Sequence, residues 1–259
     1  MSRAVAPYFL IPDWPAPATV RAIQTTRAGG VSLPPFFSLN LGDHVGDAHL
    51  AVRHNRALLR ERLPCEPFWL KQVHGTRVVS AGREHTTPEA DACISRGGGV
   101  CGVMSADCLP VLLCDEAGLV VAAVHAGWRG LVAGVLDTTV SAMQVPPSTL
   151  MAWLGPAISQ TAFEVGDEVR AQFVRADPAA AAAFVPGGRG KYLADLYFLA
   201  RLRLNSLGIS NIYGGDRCTF AEGGQFFSYR REGVTGRQGT FIWLEATAGI
   251  NLNRDDPHD

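Results

Sequence analysis

The sequence predicts an α+β fold, and two features of the chain support that prediction. Short apolar runs rich in Val, Leu and Ile occupy residues 68–124 and are separated by Gly or charged turns. Runs of this length favour buried strands over helices. Because no helix-length segment separates the last four runs, we expect an antiparallel or mixed sheet. The helical segments that follow do not alternate regularly with strands, so α+β fits better than a doubly wound sheet.

The individual elements follow from run length and from the residues that punctuate the runs. Gly208 ends the last helix as a C-cap glycine, and Pro178 stands in the first turn of a short alanine helix. The predicted strands are Val20–Thr25, Phe68–Val73, Asp91–Ser95, Val100–Ser105, Pro110–Cys114, Leu119–Val124, Met151–Leu154, Asn211–Tyr213 and Thr240–Leu244. The predicted helices are Leu131–Met143, Asp167–Val174, Ala179–Ala183 and Leu196–Leu207.

Bulk properties limit the class of protein. Residues 1–259 contain no repeat and no linker, so we expect a single domain with a disordered polar tail at about 253–259. The formal net charge of -1 and the pI of about 6.7 give no basic footprint for nucleic acid. Nothing in the sequence indicates an oligomeric state.

Targeting signals and cysteine usage predict a cytoplasmic protein. Prolines interrupt residues 1–17, which therefore lack the apolar stretch of roughly 7–15 residues of a secretory signal. The longest apolar stretch, residues 119–124, is far shorter than the ~20 residues that cross a bilayer. The six cysteines form no CxxC pair, which is typical of free thiols in a reducing compartment.

Three potential metal ligands stand where predicted strands end. His74 follows one apolar run, Cys108 follows a second, and His125 ends a third, each beside glycine or proline. Two imidazoles and one thiolate suit Zn²⁺, and a set of three leaves the fourth position open, as in catalytic zinc sites. The alternative is a pair of hydrogen-bonded histidines at strand ends and a small core thiol. Spacing alone leaves both interpretations open.

A series of short motifs makes the chain recognisable. They run in order from Ser38-Leu39-Asn40-Leu41-Gly42 to Gly236-Arg237 and include Gln72-Val73-His74-Gly75, Ala106-Asp107-Cys108-Leu109-Pro110, His125-Ala126-Gly127-Trp128-Arg129-Gly130, Leu154-Gly155-Pro156-Ala157-Ile158, Cys218-Thr219 and Ser228-Tyr229-Arg230-Arg231. With these motifs the sequence resembles the YfiH-type family, which has been labelled polyphenol oxidase, multicopper laccase domain and purine nucleoside phosphorylase.

The resemblance implies a fold, a ligand set and an activity. His74, Cys108 and His125 fall on the family's metal ligands. The implied fold is a single-domain α/β sandwich with mixed sheets, related to Cys/His hydrolases such as the catalytic domain of cytotoxic necrotizing factor. The implied activity is phosphorolysis of adenosine, inosine and 5′-methylthioadenosine, with some deamination of adenosine. Purine nucleosides and phosphate are therefore the expected partners.

Phosphorolysis requires an anion site, and arginine presents a planar fork that suits phosphate oxygens. Arg129 is the first candidate and Arg230 the second, with a structural ion pair as the alternative for each. Asp107 is expected either to contact substrate as an acid–base group or to have a structural role. Asn40 either binds ribose or caps a turn. The five-residue spacing of His44, His49 and His54 matches neither a helix face nor a metal motif, so we expect them to be unrelated to the metal.

Other functions remain as alternatives. Seven histidines without a His-x-His pair can build one metal site but not the four-copper set of a laccase, so a lone copper is a weaker alternative to zinc. A Cys/His hydrolase would use Cys108 as nucleophile and His125 as base; the family has been linked to editing of peptidoglycan precursors. In a binding module with structural zinc, Cys218 would be the fourth ligand.

Overall fold

Two large sheets and one small sheet organise residues 9–82 and 87–245, the part of the chain that the computed structural model describes. The five-stranded sheet contains, in spatial order, β1 (Phe9–Leu10), β2 (Val20–Thr25), β14 (Gln238–Leu244), β6 (Val100–Ser105) and β3 (Pro67–Phe68). The six-stranded sheet contains β13 (Asn211–Gly214), β9 (Leu150–Leu154), β7 (Leu109–Asp115), β8 (Val121–Ala126), β5 (Ala92–Ser95) and β4 (Val78–Ser80). The small sheet contains β10 (Glu164–Val165), β12 (Tyr192–Ala194) and β11 (Phe184–Pro186).

The chain also contains six α-helices and two short 3-10 helices among the described residues. They are α1 (His49–Arg60), α2 (Trp128–Ala133), α3 (Val135–Met143), α4 (Asp167–Ala176), α5 (Leu196–Ser206) and α6 (Tyr229–Glu232), with 3-10 helices at Pro147–Thr149 and Pro178–Ala183. No helix among the described residues is long and apolar enough to span a membrane. The predicted tail at 253–259 lies outside the described residues.

Two apolar core layers lie on the two faces of the six-stranded sheet, and a third contains Ile23 and Phe241 of the five-stranded sheet and Leu59 of α1. Val103 and Ile242 of one sheet pack with Leu112 and Ala123 of the other, and all four are buried. The opposite face, with Val111 among its residues, packs with residues of α3 and α5. Burial of this apolar area is the dominant favourable contribution to folding. Strands β7 and β8 are antiparallel and β9 and β13 parallel, which confirms the mixed α/β arrangement.

The structure differs from the predicted elements in several places. The predicted strand 68–73 is almost absent, because the chain leaves the sheet after β3 towards His74. The predicted helix 131–143 is two helices, since Gly134 adopts a left-handed conformation (φ 95°) between α2 and α3. The predicted alanine helix is a 3-10 helix, whose first turn is capped by the Asp177 side chain. Helix α1 was not predicted; its buried side is narrow and includes a polar residue, Asn55.

Candidate metal centre

The three predicted ligands meet at one end of the six-stranded sheet. His125 belongs to β8 and is buried, Cys108 directly precedes β7, and the register of these strands places Pro110 opposite His125. His74 is exposed on the loop that follows β3. The Cys108 Sγ atom is 3.7 Å from His74 Nε2, and the ligand atoms of the three residues all lie within 4.8 Å of one another. No other group of three or more His, Cys, Asp or Glu side chains within residues 9–82 and 87–245 has this geometry.

A fully buried carboxylate, Asp91, holds both histidines. Its Oδ1 atom accepts hydrogen bonds from the His74 N–H at 2.9 Å and from His125 Nδ1 at 2.8 Å. Its Oδ2 atom accepts hydrogen bonds from the N–H groups of Val73 at 3.1 Å and Gly75 at 2.7 Å. A proton held on Nδ1 by this carboxylate would leave Nε2 of His125 as the atom that can bind a metal. Sequence reasoning missed Asp91, although an acidic residue at the head of an apolar strand is a recognisable signal.

Charge coupling sets the protonation of the ligands. Burial alone would raise the pKa of the Cys108 thiol, but the charge of His125 and hydrogen bonds from both histidines lower it to about 6. Burial alone would lower the pKa of His125, but the Cys108 thiolate and the bond to Asp91 raise it to about 9. Without a metal, the site therefore holds a thiolate–imidazolium pair at neutral pH.

Backbone strain is concentrated beside the ligands. His74 (φ 60°) and Asp107 (φ 101°) both adopt positive φ angles, which are uncommon for residues other than glycine. The Asp107 carboxylate accepts hydrogen bonds from the Thr219 hydroxyl at 2.6 Å and from the Arg230 N–H at 2.7 Å. These two bonds tie the loop before Cys108 to the segments that carry Thr219 and Arg230. They support the structural role of Asp107, whose contact with substrate stays a prediction.

Because Gly127 has no side chain, His74 and Cys108 can occupy the space beside it. A Cβ atom at this position would lie 2.7 Å from His74 Cδ2 and 3.0 Å from Cys108 Sγ. Either contact is closer than a side-chain carbon tolerates without displacement of its neighbour. The glycine that follows His125 and Ala126 is therefore required by the packing of the site.

A cleft of about 620 Å³ opens over the three ligands. Its charged lining residues are Arg129, Arg230, Arg237 and Asp107. Three aromatic residues, Trp128, Phe163 and Tyr229, also line it. A cationic cleft with aromatic walls suits an anion together with a planar ring system.

The two arginines predicted from the sequence have different surroundings. Arg129 is exposed, and its guanidinium lies 4.4 Å from the centroid of the Trp128 ring. The Arg230 guanidinium donates hydrogen bonds to the carbonyl oxygens of Ala162 at 3.2 Å and Glu164 at 3.1 Å. Arg230 therefore has less remaining capacity for a ligand than Arg129.

Two further cleft residues were not assigned a role from the sequence. Arg237 is half-buried between the cleft and Gly42. His44 also lines the cleft, whereas His49 and His54 belong to α1. Burial, followed by the charge of Arg237, lowers the pKa of His44, so its imidazole is neutral at pH 7.

The hydrogen bonds of Asn40 support the turn-capping alternative. Asn40 is fully buried. Its Nδ2 donates to the Gly42 carbonyl at 3.1 Å and to Asp47 at 2.9 Å, while its Oδ1 accepts from the N–H groups of Gly42 and Arg237, each at 2.9 Å. An amide has four such positions, and all are used within the protein. Asn40 therefore has the structural role that the sequence left as the alternative.

Cys218 is not part of the ligand group. Its Sγ accepts hydrogen bonds from the Ser159 hydroxyl at 3.0 Å and from the Ala221 N–H at 3.4 Å. Closure of the site by Cys218, as a structural zinc site would require, does not match this arrangement. The described geometry gives three candidate ligands and an open side that faces the cleft.

The sequence of this chain matches a known family model and is similar to those of individual bacterial proteins. Residues 21–245 match the family model described as multi-copper polyphenol oxidoreductase laccase. The chain is 54% identical to purine nucleoside phosphorylase YfiH of Escherichia coli over 91% of this chain and 98% of that protein. It is 51% identical to a purine nucleoside phosphorylase of Haemophilus influenzae over 90% of this chain and 98% of that protein.

Solved structures show the same fold. A Neisseria meningitidis protein superposes with a TM-score of 0.91 at 54% identity and covers 92% of this chain and 99% of its own. YlmD from Geobacillus stearothermophilus superposes with a TM-score of 0.86 at 32% identity and covers 95% of this chain and 98% of its own.

Proposed function

We infer the function from family and geometry together: this chain belongs to the YfiH-type family, whose model is described as multi-copper polyphenol oxidoreductase laccase. We propose that it is a zinc-dependent purine nucleoside phosphorylase, acting on adenosine, inosine and 5′-methylthioadenosine, with adenosine deamination as a side activity. The observation that carries the proposal is the group of His74, Cys108 and His125 at the floor of a cationic cleft.

The residues present fit a zinc ion. Bonds of about 2.3 Å to sulfur and 2.0–2.1 Å to nitrogen in a tetrahedron place S and N roughly 3.5 Å apart. The observed separation of Cys108 Sγ and His74 Nε2 is 3.7 Å. A soft thiolate with two imidazoles also fits copper, so metal analysis of the purified protein decides between the ions. One equivalent of zinc per chain supports the proposal, and stoichiometric copper without zinc contradicts it.

The protein contributes orientation and charge to the proposed reaction. When bound, zinc would supply a Lewis acid with an exchangeable position. Asp91 holds His125 in the tautomer that binds metal. Arg129 presents its exposed guanidinium to phosphate, and Trp128, Phe163 and Tyr229 offer ring faces for a purine. Phosphate oxygen bonds to ribose C1′ while the C1′–N9 bond breaks and its electrons leave with the purine.

Product analysis tests the proposal directly. The protein is incubated with adenosine, with and without phosphate, and the products are separated by chromatography. Adenine and ribose 1-phosphate formed only with phosphate support phosphorolysis, and inosine supports deamination. If the zinc-loaded protein forms neither product, the proposal is refuted.

A second candidate, a Cys/His hydrolase that edits peptidoglycan precursors, is supported by one arrangement. Asp91 is hydrogen-bonded to His125, whose charge stabilises the Cys108 thiolate. This order of acid, base and nucleophile is found in cysteine hydrolases. The two candidates respond differently to metal removal: chelation inactivates a zinc-dependent phosphorylase, whereas a cysteine hydrolase keeps its activity until the thiol is alkylated.

A further inference from the structure

Arg237 lines the same cleft as the three candidate metal ligands, yet its sequence context predicted no role for it. It directly precedes β14, and the antiparallel register pairs its neighbour Gln238 with Ser105 at the end of β6. Beyond Ser105, the chain continues to Cys108. A Cβ atom at Gly42 would lie 2.8 Å from Arg237 Cγ, so the stem of the arginine packs directly on that glycine. These contacts and pairings hold Arg237 at the same end of the fold as the cysteine.

The guanidinium of Arg237 keeps most of its hydrogen-bonding capacity. Its Nη1 donates to the carbonyl oxygens of Thr235 and Gly236, both at 3.0 Å. Arginine has five N–H donors, so those on Nε and Nη2 are left for other partners. No ion pair formed within residues 9–82 and 87–245 includes Arg237.

The anions near Arg237 are already engaged. Burial lowers the pKa of its guanidinium, and the charges of Cys108 and Asp107 oppose that shift. Both Asp107 oxygens accept hydrogen bonds from Thr219 and Arg230, and a metal would take the charge of the Cys108 thiolate. A half-buried cation without its own carboxylate is costly, and an anionic ligand would offset that cost.

A second polar group at the same strand end has no partner. Ser105 lines the cleft and is 3% exposed, and its Oγ atom is buried without a hydrogen bond in the described structure. Unpaired buried hydroxyls are rare in folded proteins and often mark a place where a water or ligand supplies the partner.

We propose that Arg237, together with the Ser105 hydroxyl, forms the subsite for the inorganic phosphate that attacks the nucleoside. This assignment rests on the proposed phosphorylase function and adds a buried anchor to the exposed Arg129. The planar fork of Arg237 binds two phosphate oxygens and leaves a third for ribose C1′. As that C–O bond forms, the C1′–N9 bond breaks, the purine leaves with its electron pair, and the proton of hydrogen phosphate ends on the purine.

Phosphate binding and kinetics test the subsite separately from the reaction. Inorganic phosphate is titrated calorimetrically into the zinc-loaded protein, and KM is measured for phosphate and for adenosine. Arg237→Gln should weaken phosphate binding and raise the phosphate KM by about 10- to 100-fold, because it removes charged hydrogen bonds. The adenosine KM should change by less than about threefold, since the lost contact is to the other substrate.

Three further variants distinguish the contributions of charge, of hydrogen-bonding geometry and of position. Arg237→Lys keeps the charge but not the fork, so its phosphate affinity should be intermediate. Ser105→Ala should weaken phosphate binding by about two- to tenfold through loss of a neutral hydrogen bond. Arg53→Gln, on the exposed surface of α1 and outside the lining of the cleft, makes the same chemical change and should bind phosphate as the wild type does.

Each outcome supports or overturns the assignment. A folded Arg237→Gln protein that binds phosphate as tightly as the wild type overturns the subsite and leaves the phosphorylase proposal intact. If phosphate binding depends on Arg237 but no ribose 1-phosphate forms, the anion site is supported and the proposed phosphorylase function is refuted. If Arg237→Gln does not fold, unchanged phosphate affinity in both Arg237→Lys and Ser105→Ala overturns the assignment. A wild-type protein that binds no phosphate also overturns it.

Discussion

Replacement of Asp91 by asparagine should lower both the stability of the protein and its affinity for metal. Oδ1 of Asp91 accepts hydrogen bonds from the backbone N–H of His74 and from His125 Nδ1. Its Oδ2 accepts hydrogen bonds from the backbone N–H groups of Val73 and Gly75. An amide replaces one of these oxygens by an NH₂ group, so two donors face a donor whichever way the amide is turned. The substitution therefore removes two hydrogen bonds to a buried charge.

The expected loss of stability follows from those bonds. A hydrogen bond to a charged group contributes about 1.5–3 kcal/mol, so the unfolding free energy of the metal-free protein should fall by about 3 kcal/mol or more. If the NH₂ group faces His125, the imidazole has to accept at Nδ1 and carry its proton on Nε2, the nitrogen that would bind metal. Loss of such an orienting partner lowers metal affinity by about 10- to 100-fold.

The assay is a zinc titration against a competing chelator, with urea unfolding of the metal-free protein as the second measurement. Asp115→Ala is the control for stability alone. Asp115 is also buried, and its Oδ1 accepts hydrogen bonds from the N–H groups of Leu119 at 2.7 Å and Val120 at 2.8 Å, in a turn at the opposite end of β7 from Cys108. This variant should be less stable yet bind zinc normally. Zinc affinity of Asp91→Asn within about twofold of the wild type would refute the reasoning about the tautomer.

Three further predictions concern the ligands themselves. In metal-free protein, the rate of Cys108 alkylation, measured by peptide mass spectrometry, should rise with pH with a midpoint near 6, because the thiolate reacts and the pKa of this thiol is about 6. A midpoint of ~8.5, the pKa of an ordinary cysteine, would contradict the charge coupling between Cys108 and His125. Gly127→Ala should lose zinc and phosphorolysis, since the new Cβ atom would lie 2.7 Å from His74 Cδ2, whereas Gly224→Ala, with no atom within 4 Å of its added Cβ, should keep both. Cys108→Ala should abolish phosphorolysis and adenosine deamination together, with Cys65→Ala as the control; loss of only one activity would show that the two reactions do not share the site.

Local sequence patterns were sufficient for most of the long strands, whereas the ligand set needed the resemblance to a known family. The strands Val20–Thr25 and Val100–Ser105 have the predicted bounds, because compact apolar runs define them. Residue type and position at run ends made His74, Cys108 and His125 candidates, and the family motifs around them then favoured metal ligands over structural residues. Helix α1 was missed because its buried face is narrow and partly polar, with Asn55 donating hydrogen bonds to the backbone of Ser38 and Asn40.

What the sequence determined by itself is therefore the class of elements, which follows from short-range patterns of polarity, and three candidate ligands, whose assignment came from the family motifs around them. The tertiary structure alone decided which residues support them. Asp91 is hydrogen-bonded to His125 only because β5 pairs with β8, and Arg237 reaches the cleft only because β14 pairs with β6. These pairings arise from the packing of two apolar sheets, a property of the whole chain that the segments beside either residue do not encode.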